Sequence, residues 1–538
     1  YTGGTTGNVI TGNGRVDITG YVTNTGDITQ TTVSNTGVFT NNGTVTANLN
    51  NSHDIEGTGS IETGTGISSN TGNITQNAIT NNGTFDNSGH ITVNNLTNNS
   101  TFNTNADLLS VANGVANDGT LNITGGTNAN AITGAGVTNF TNDVTNAGSI
   151  TQTTVTNSGN LTNNGTITAA VSNTGTLTSN GADITGDINN SGSYVITDGN
   201  NANTITGNGS TTIYGTTVNS GSITQENLNI GNAANFTTSS ETVSAAIANE
   251  GTMTWNAGST NGNVVTGNGS LIVDGATVAN SASINQANIT ITSGSLSSNA
   301  DLLTSANGIT NNAADGLILT GGTNANAISG TGSLVTTGDV TNNAAISQDS
   351  ITVSGGTLTT DASLITAANG VTNNSNVSLT GGTNTNTITG SGTTYIDGTV
   401  ENTGTIDTNI GVGTSGHYAT ESNITKDLAN NGITDITNAN VNAAITGTGT
   451  TNILGTTTNN STITQGNLNI ASNGDFTTDI DNVTAAIANE GSMTWNGGTA
   501  NSNVVTGTGS LEITSGDIAN SASISQSDIT ITGGSLTS

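Results

Sequence analysis

Residues 205–209 read ITGNG, and this pattern recurs throughout the 538-residue chain. It consists of an aliphatic residue, a second residue that is usually Thr or Ser, a Gly, any residue and a second Gly. A second pattern, SITQ and its close variants, recurs with the same spacing. Repetition at a fixed period predicts a repeat architecture in which each unit packs on its neighbours. From residue 207 onward, the first glycine of the pattern stands about every 60 residues, at Gly207, Gly267, Gly330, Gly390, Gly447 and Gly507.

Within each unit of about 60 residues, short aliphatic steps alternate with Asn and Gly, as in LILTGG at 317–322 and ITVSGG at 351–356. Alternation of apolar and polar residues between turn residues is typical of β-strands. Three coils of about 20 residues would fill one unit, and a coil of that size is the repeat of a parallel β-solenoid. The sequence therefore predicts an all-β chain, wound as a parallel β-helix with coils of about 20 residues.

The unusual composition fits such a solenoid. Stacked strands pair their backbone groups with the coils before and after, and proline, which would remove a donor from that ladder, is absent. Charged residues make up 7% of the chain, which limits repulsion between like charges at equal positions. We expect Asn and Thr to form side-chain ladders, Gly and Asn to turn the corners with positive φ, and Ile, Val, Leu and Ala to fill the core.

The balance of charges excludes several kinds of partner. Two basic residues stand against 34 acidic ones, for a net charge of −32. Because there is so little Lys and Arg to neutralise phosphates, we expect no binding to nucleic acid and repulsion from anionic membrane surfaces. No apolar run reaches the roughly 20 residues that a membrane helix needs. With no Cys, the chain has neither disulfides nor thiolate metal sites.

We expect one continuous solenoid over residues 1–538, with irregular repeats in 1–192 and regular repeats of about 60 residues in 193–538. Four regular units make a longer repeat of 240 residues, because residues 228–298 align without gaps with residues 468–538. The chain starts and stops within a unit. We therefore expect it to be a fragment of a longer repetitive protein, whose export and anchoring segments lie elsewhere.

The two Trp residues lie in matching segments, NEGTMTWN at 249–256 and a near-copy 240 residues later. When the units are aligned on the glycine pattern, Trp255 and Trp495 fall in a column that other units fill with aliphatic residues such as Leu319 and Leu379. We therefore expect both to be enlarged core residues. The alternative makes them binding residues, as an exposed aromatic platform on which a glycan stacks.

No arrangement of residues predicts catalysis or a bound cofactor. The three His residues, His53, His90 and His417, share no position in the repeat and are expected in turns or on the surface. No serine-nucleophile elbow or lysine-bearing phosphate loop can be assembled. Scattered weak Ca²⁺ sites are considered at TGGTNANAITG (124–134), which has Asn where a calcium loop needs carboxylates, and at DID (479–481). A dedicated metal array is not expected.

The chain repeats one local style, as in NNGTVTA (41–47), NNGTITA (163–169), NAGSITQ (146–152) and NSGSITQ (219–225). In repeat style and composition it resembles bacterial autotransporter passengers and filamentous-haemagglutinin-like adhesins over nearly its whole length. The resemblance implies a right-handed parallel β-helix displayed outside a Gram-negative cell, serving adhesion, aggregation or biofilm formation. It carries over no catalytic residues.

Together these observations predict a non-catalytic, extracellular structural or adhesive protein, as a cell-surface adhesin or a rod of a biofilm matrix. Its partners would be glycans or proteins on host or neighbouring cells, or further copies of itself. The main alternative is a subunit of a self-assembling extracellular filament or sheath, whose unpaired coil ends join head to tail. Ice binding, which needs flat ranks of Thr, and glycan cleavage, which needs clustered carboxylates, are two further functions that the sequence leaves open.

Overall fold

The computed structural model describes residues 1–181 and 183–538. Strands make up 62% of the chain and helix 2%, and the described residues form 72 strands and four 3₁₀-helices of three residues. Strands pair in parallel with the equivalent strands of the next coil, about 18 residues further on, over about 30 turns. The predicted all-β parallel solenoid is confirmed, with coils slightly shorter than expected.

The coils fall into two compact units. The first comprises Tyr1–Asn256 and Asn263–Ser270, and the second comprises Ala257–Gly262 and Leu271–Ser538. Each unit contains stacked parallel coils of its own. The continuity of a single solenoid, the change of repeat style near residue 192 and the right-handed winding stay predictions.

In the first unit the chain passes three strand positions in each coil. Thr120–Ile123 pairs with Val137–Phe140 of the next coil, and the register places Leu121 beside Thr138. Alternate residues of both strands are buried, which explains the period of two in the aliphatic steps. The strands of three successive coils are Thr120–Ile123, Gly126–Asn128, Ile132–Thr133, Val137–Phe140, Val144–Asn146, Ser149–Asn157, Asn160–Asn163 and Thr166–Asn173.

The second unit follows the same plan. Leu317–Leu319 stacks on Ser333–Thr336 and then on Ser350–Val353. Leu319 and Leu379, which the repeat alignment places in an aliphatic column, are 1% and 0% exposed. The predicted aliphatic core is therefore confirmed at these positions. The strands of neighbouring coils are Leu317–Leu319, Gly322–Asn324, Ile328–Ser329, Ser333–Thr336, Val340–Asn342, Ile346–Gln348, Ser350–Val353 and Thr357–Thr360.

Four short 3₁₀-helices close recurring corners. The Asn or Asp that precedes each helix accepts a hydrogen bond from the backbone N–H two residues on. The next coil brings a Gly-Gly-Thr segment against the helix: the N–H of Thr127 donates to the Asp107 carboxylate over 2.7 Å, and the N–H of Thr323 to Asp301 over 2.8 Å. Among the described residues no helix has the length and apolar character needed to cross a membrane. The four are Ala106–Leu108, Ala300–Leu302, Ala362–Leu364 and Ile480–Asn482.

Inside the coils, buried asparagines form ladders of side-chain hydrogen bonds. The Asn35 amide donates to Asn51, Asn51 to Asn70 and Asn70 to Asn87, over 2.7 Å at each step. All four residues are at most 8% exposed. The Asn70 amide also donates to the Gly72 carbonyl over 3.0 Å, so that one side chain links two coils and closes a turn. The predicted Asn ladder is confirmed, and it lies in the interior.

The ITGNG and SITQ patterns are two parts of one interruption in such a ladder. Gly134 lies over Asn117 with a φ of +118°, and a Cβ atom at this glycine would lie 2.4 Å from the Asn117 carbonyl oxygen. Gln152, one coil further, reaches across the glycine. The Asn117 amide donates to Gln152 Oε1 over 2.6 Å, and Gln152 Nε2 donates to the Gly134 carbonyl over 3.1 Å. Glycine makes room at this position, and the longer amide spans the gap.

This bridge recurs in both units, which explains why the two sequence patterns keep the same spacing. The repeat at Thr408 departs from it: Thr stands where Gln is expected, and its hydroxyl pairs with that of Thr394 over 2.7 Å. Further bridges, in which an Asn amide donates to a Gln Oε1 over 2.6–2.8 Å, include Asn41 with Gln76, Asn190 with Gln225, Asn311 with Gln348, Asn430 with Gln465 and Asn489 with Gln526.

The corners differ from the expectation in one respect. Asn was expected to turn corners with positive φ, but among the described residues Asn438 is the one Asn that does so. Glycines such as Gly134 supply most of the positive φ values. Asn instead caps the turn with its side chain, as Asn70 does, and so avoids the strain of a left-handed backbone.

We predict that Gln152→Asn destabilises the coils around it. The shortened side chain cannot cross Gly134, so one N–H of the buried Asn117 amide loses its acceptor, while the other keeps its hydrogen bond to the Val137 carbonyl over 3.1 Å. A buried N–H without a partner costs about 1–3 kcal/mol. Hydrogen–deuterium exchange of the three coils involved should therefore show a fall of that size in the free energy of local opening.

Asn94→Ser is the control for this measurement. The Asn94 side chain is exposed and donates to Asn77 over 3.0 Å. Its replacement should change the free energy of local opening by less than ~0.5 kcal/mol. Equal effects of the exposed and buried substitutions would contradict the proposed importance of the bridge.

A second prediction concerns a buried hydroxyl that lacks a partner. Thr138 is 0% exposed and stacks between Leu121 and Val155, and its hydroxyl makes no hydrogen bond. Thr138→Val should raise the free energy of local opening by about 1 kcal/mol, because it removes an unpaired buried polar group. Thr104→Val should lower that free energy, since the Thr104 hydroxyl accepts from Asn87 over 3.0 Å. If both substitutions are destabilising in the same exchange experiment, the prediction is wrong.

Candidate functional site

The two tryptophans that could have formed a glycan platform lie in the core. Trp255 is 1% exposed and Trp495 is 0% exposed. Trp495 stacks between Thr478 and Ile513, one coil to either side. The indoles fill a core column and present no ring face to a ligand. Their burial confirms the core interpretation and corrects the alternative that made them binding residues.

The aromatic rings that face the solvent belong to tyrosines. Tyr1, Tyr21, Tyr214 and Tyr395 are 41–80% exposed. Of these, Tyr214 borders a surface groove of about 440 Å³ in the first unit. Besides the tyrosine, the groove is lined by Thr212, Asn229, Ile230, Gly231, Asn232, Ala248, Glu250 and Asn268.

Successive coils bring these residues together. The register pairs Ile213 with Ile230, and Ile230 with Asn249. The residues that follow these three therefore lie in one column, although the chain separates them by about one coil each: Tyr214, Gly231 and Glu250. The strands that carry the column are Ser210–Asn219, Ser222–Ile230 and Val243–Asn249.

Tyr214 lies directly over Gly231. A Cβ atom at this glycine would lie 2.7 Å from Cδ1 and Cε1 of the tyrosine, so a side chain there would displace the ring. The missing side chain lets the ring rest on the backbone of the next coil, an arrangement by which aromatic residues shield glycines in sheets. Because 48% of Tyr214 stays exposed, the ring is both fixed and accessible from the groove.

The opposite wall of the groove is polar. The exposed Glu250 carboxylate accepts hydrogen bonds from the backbone N–H and the side-chain amide of Asn268, over 3.3 and 3.2 Å. On the side of the groove, the Asn229 amide donates to the Thr212 hydroxyl over 3.5 Å. A carboxylate offers about four acceptor positions, so Glu250 can bind a further donor while Asn268 holds it in place.

The equivalent positions 240 residues later, in the second unit, carry a different surface. Leu454 and Ala471 replace the tyrosine and the glycine, whereas Glu490 keeps the carboxylate. Thr508 donates to Glu490 through its hydroxyl, as Asn268 donates to Glu250. The ring and the glycine beneath it thus change together, and this joint change is the sequence signal by which the groove could have been found.

The histidines lie at the surface as expected. His53 and His90 are exposed, and His417 is half-buried. His417 Nε2 lies 2.7 Å from the Asp435 carboxylate, which also accepts a hydrogen bond from the Asn452 amide over 2.7 Å. His417 is therefore one member of an outward polar ladder.

In both segments considered for Ca²⁺, side-chain oxygens accept hydrogen bonds from backbone N–H groups. In TGGTNANAITG (124–134), Asn130 accepts a hydrogen bond from the N–H of Val111 over 2.9 Å, and Gly126 packs against Asp107 of the Ala106–Leu108 helix. In DID, Asp479 accepts from the N–H of Asp481 over 2.9 Å, and Asp481 accepts from the N–H of Thr499 over 2.9 Å. Within residues 1–181 and 183–538, no group of three or more His, Asp or Glu side chains is arranged to hold a metal ion. Weak Ca²⁺ binding stays a prediction.

The contacts of Asp481 predict a local pH dependence. Hydrogen bonds from the Thr499 and Ala500 N–H groups lower the pKa of this carboxyl from its ordinary value. The stabilisation is therefore present above the unfolded-state pKa of about 4 and is lost as the pH falls through the lower folded-state pKa. Exchange of the Thr499 and Ala500 amides, corrected for intrinsic rates, should accelerate over that acidic range.

Asp481→Asn is the control for the pH measurement. The amide has nearly the same shape as the carboxyl group but does not titrate, so exchange at Thr499 should lose its acid-dependent step in the variant. An identical step in both proteins would show that another group is responsible.

Comparisons with protein-family models, curated proteins and solved structures found no match to this chain. The fold and the surface therefore carry the functional argument.

Proposed function

We propose that the chain is a non-catalytic extracellular structural protein with an adhesive side surface, as in a cell-surface adhesin or the rod of a biofilm matrix. Stacking between coils and buried amide ladders, such as that from Asn35 to Asn87, stabilise the fold from within. The outward side chains, which are mostly Thr, Asn and Ser, form the surface that is available for binding a partner.

The observation that carries the proposal is an outward column of polar side chains in the first unit. The Asn103 amide donates to Asp86, and the Asn122 amide to Asn103, each over 2.6 Å. The Asn139 amide donates to Asn122 over 2.7 Å, and the Thr156 hydroxyl donates to Asn139. The ladder orders these groups at the spacing of about 4.8 Å between neighbouring strands. An extended partner can therefore meet an ordered row of donors and acceptors.

The charge of the chain favours neutral partners. With a net charge of −32, the surface repels anionic membranes and polyanions. Each hydrogen bond contributes only about 0.5–1.5 kcal/mol net. Firm attachment therefore requires many weak contacts acting together, which a repeated surface supplies. Neutral glycans and glycoproteins on neighbouring or host cells fit this requirement.

Attachment under flow tests this function. Beads coated with the chain should remain on surfaces that carry neutral glycans or glycoproteins, at shear that removes albumin-coated beads. Salt screens exposed charges but not hydrogen bonds, so attachment should change by less than about twofold between low and high salt. Replacing Asn103, Asn122 and Asn139 together by Ala should weaken attachment, while thermal unfolding verifies that the variant is folded.

Other outcomes would select other functions. Electron micrographs that show continuous fibres, much longer than one chain, would support the self-assembling filament instead. Release of shortened sugars from the coated surface would contradict a non-catalytic role. Failure of the beads to attach to any of these surfaces would contradict the adhesive one.

A further inference from the structure

We propose that the groove beside Tyr214 binds a neutral, extended saccharide, one pyranose ring of which stacks on the tyrosine. The inference rests on the proposed adhesive function, because it assigns a ligand class to one place on the adhesive surface. Three features meet in this groove: a fixed aromatic ring, a floor of small residues and a polar wall.

The aromatic ring supplies the stacking surface. A pyranose ring with equatorial hydroxyl groups presents C–H bonds on its faces, and such a face packs well on an aromatic ring. Tyr214 is half exposed, and the absence of a side chain at Gly231 lets it lie against the next coil. Since the ring is already held in place, binding orders little that was mobile before.

The polar wall supplies directional hydrogen bonds. Glu250 accepts, Asn229 and Asn268 both donate and accept, and neighbouring hydroxyls of a sugar can pair with such planar groups. Asn268 holds the Glu250 carboxylate through two hydrogen bonds of 3.3 and 3.2 Å, so the acceptor is oriented before the ligand arrives. The carboxylate also disfavours sugars that carry carboxylates, sulfates or phosphates, and this selects neutral ligands.

The spacing of the coils fits an extended chain of sugars. Tyr214 and Glu250 lie in one column, with Gly231 on the coil between them. Two strand spacings correspond to about 10 Å, which leaves room for two successive sugar rings along the stacking direction. The groove volume of about 440 Å³ also lies in the range of about 300–1,000 Å³ that is usual for small-ligand sites.

Oligosaccharide titration tests the inference. Cellotetraose and chitotetraose, added to the full chain and followed by saturation-transfer NMR, should bind saturably. Tyr214→Ala should weaken binding by at least about tenfold, which is a typical effect of removing a central contact. Leu454→Ala is the matched control, because Leu454 occupies the equivalent position 240 residues later, and it should leave the affinity within about twofold.

A second variant tests the role of the glycine. Gly231→Ala adds a methyl group where the tyrosine ring lies, so the ring must move and saccharide binding should weaken. The fold should tolerate the substitution, since Ala471 stands at the equivalent position of the second unit. Circular dichroism and thermal unfolding should match those of the parent protein.

Several outcomes would overturn the inference. They are equal binding by the parent and Tyr214→Ala, tetragalacturonate binding as tight as that of the neutral sugars, and no saturable binding of either neutral tetrasaccharide. If coated beads still attach to glycoprotein surfaces in those cases, the proposed adhesive function stands without this groove. If the tetrasaccharides bind at Tyr214 but the beads do not attach, the saccharide site is supported and the proposed adhesive function is contradicted.

Discussion

The structure depends on the pairing of buried amides between coils. A polar side chain in the interior needs a hydrogen-bond partner, and in this fold the partner lies one coil away, as Asn51 does from Asn35. Where a glycine interrupts the ladder, Gln152 pairs with Asn117 across 35 residues. Each coil therefore constrains the residues of its neighbours. That constraint accounts for the persistence of the repeat and for the absence of proline from the strands.

Much of the fold could be predicted from the sequence, because aliphatic residues such as Leu319 alternate with polar ones at a readable period. The inward position of Asn could not be predicted in this way, since Asn in a repeat looks like a turn residue until a neighbouring coil supplies its partner. The partner of Gln152 lies two coils away, beyond any local pattern. The groove at Tyr214 escaped prediction for the same reason, because stacking alone brings Glu250 near it.

The regular interior leaves the exterior free to vary. Equivalent positions 240 residues apart carry Tyr214 in the first unit and Leu454 in the second, while the strands that carry them keep the same arrangement. The outer surface can therefore change its contacts by a few substitutions on an unchanged scaffold. In this account the many polar side chains supply weak, repeated contacts, and a site such as the Tyr214 groove adds selectivity for one class of ligand.

The ladders, the bridges and the groove all depend on the stacking register of the coils. A disulfide test addresses this register most directly, because the chain has no cysteine of its own. Asn122 and Asn139 lie side by side on adjacent coils, at a spacing of about 4.8 Å that a disulfide can span. The account predicts that Asn122→Cys with Asn139→Cys oxidises to an intramolecular bond. Asn122→Cys with Thr141→Cys, displaced to roughly 8 Å, should stay reduced. Equal oxidation of both pairs, or none in the first, would contradict the register.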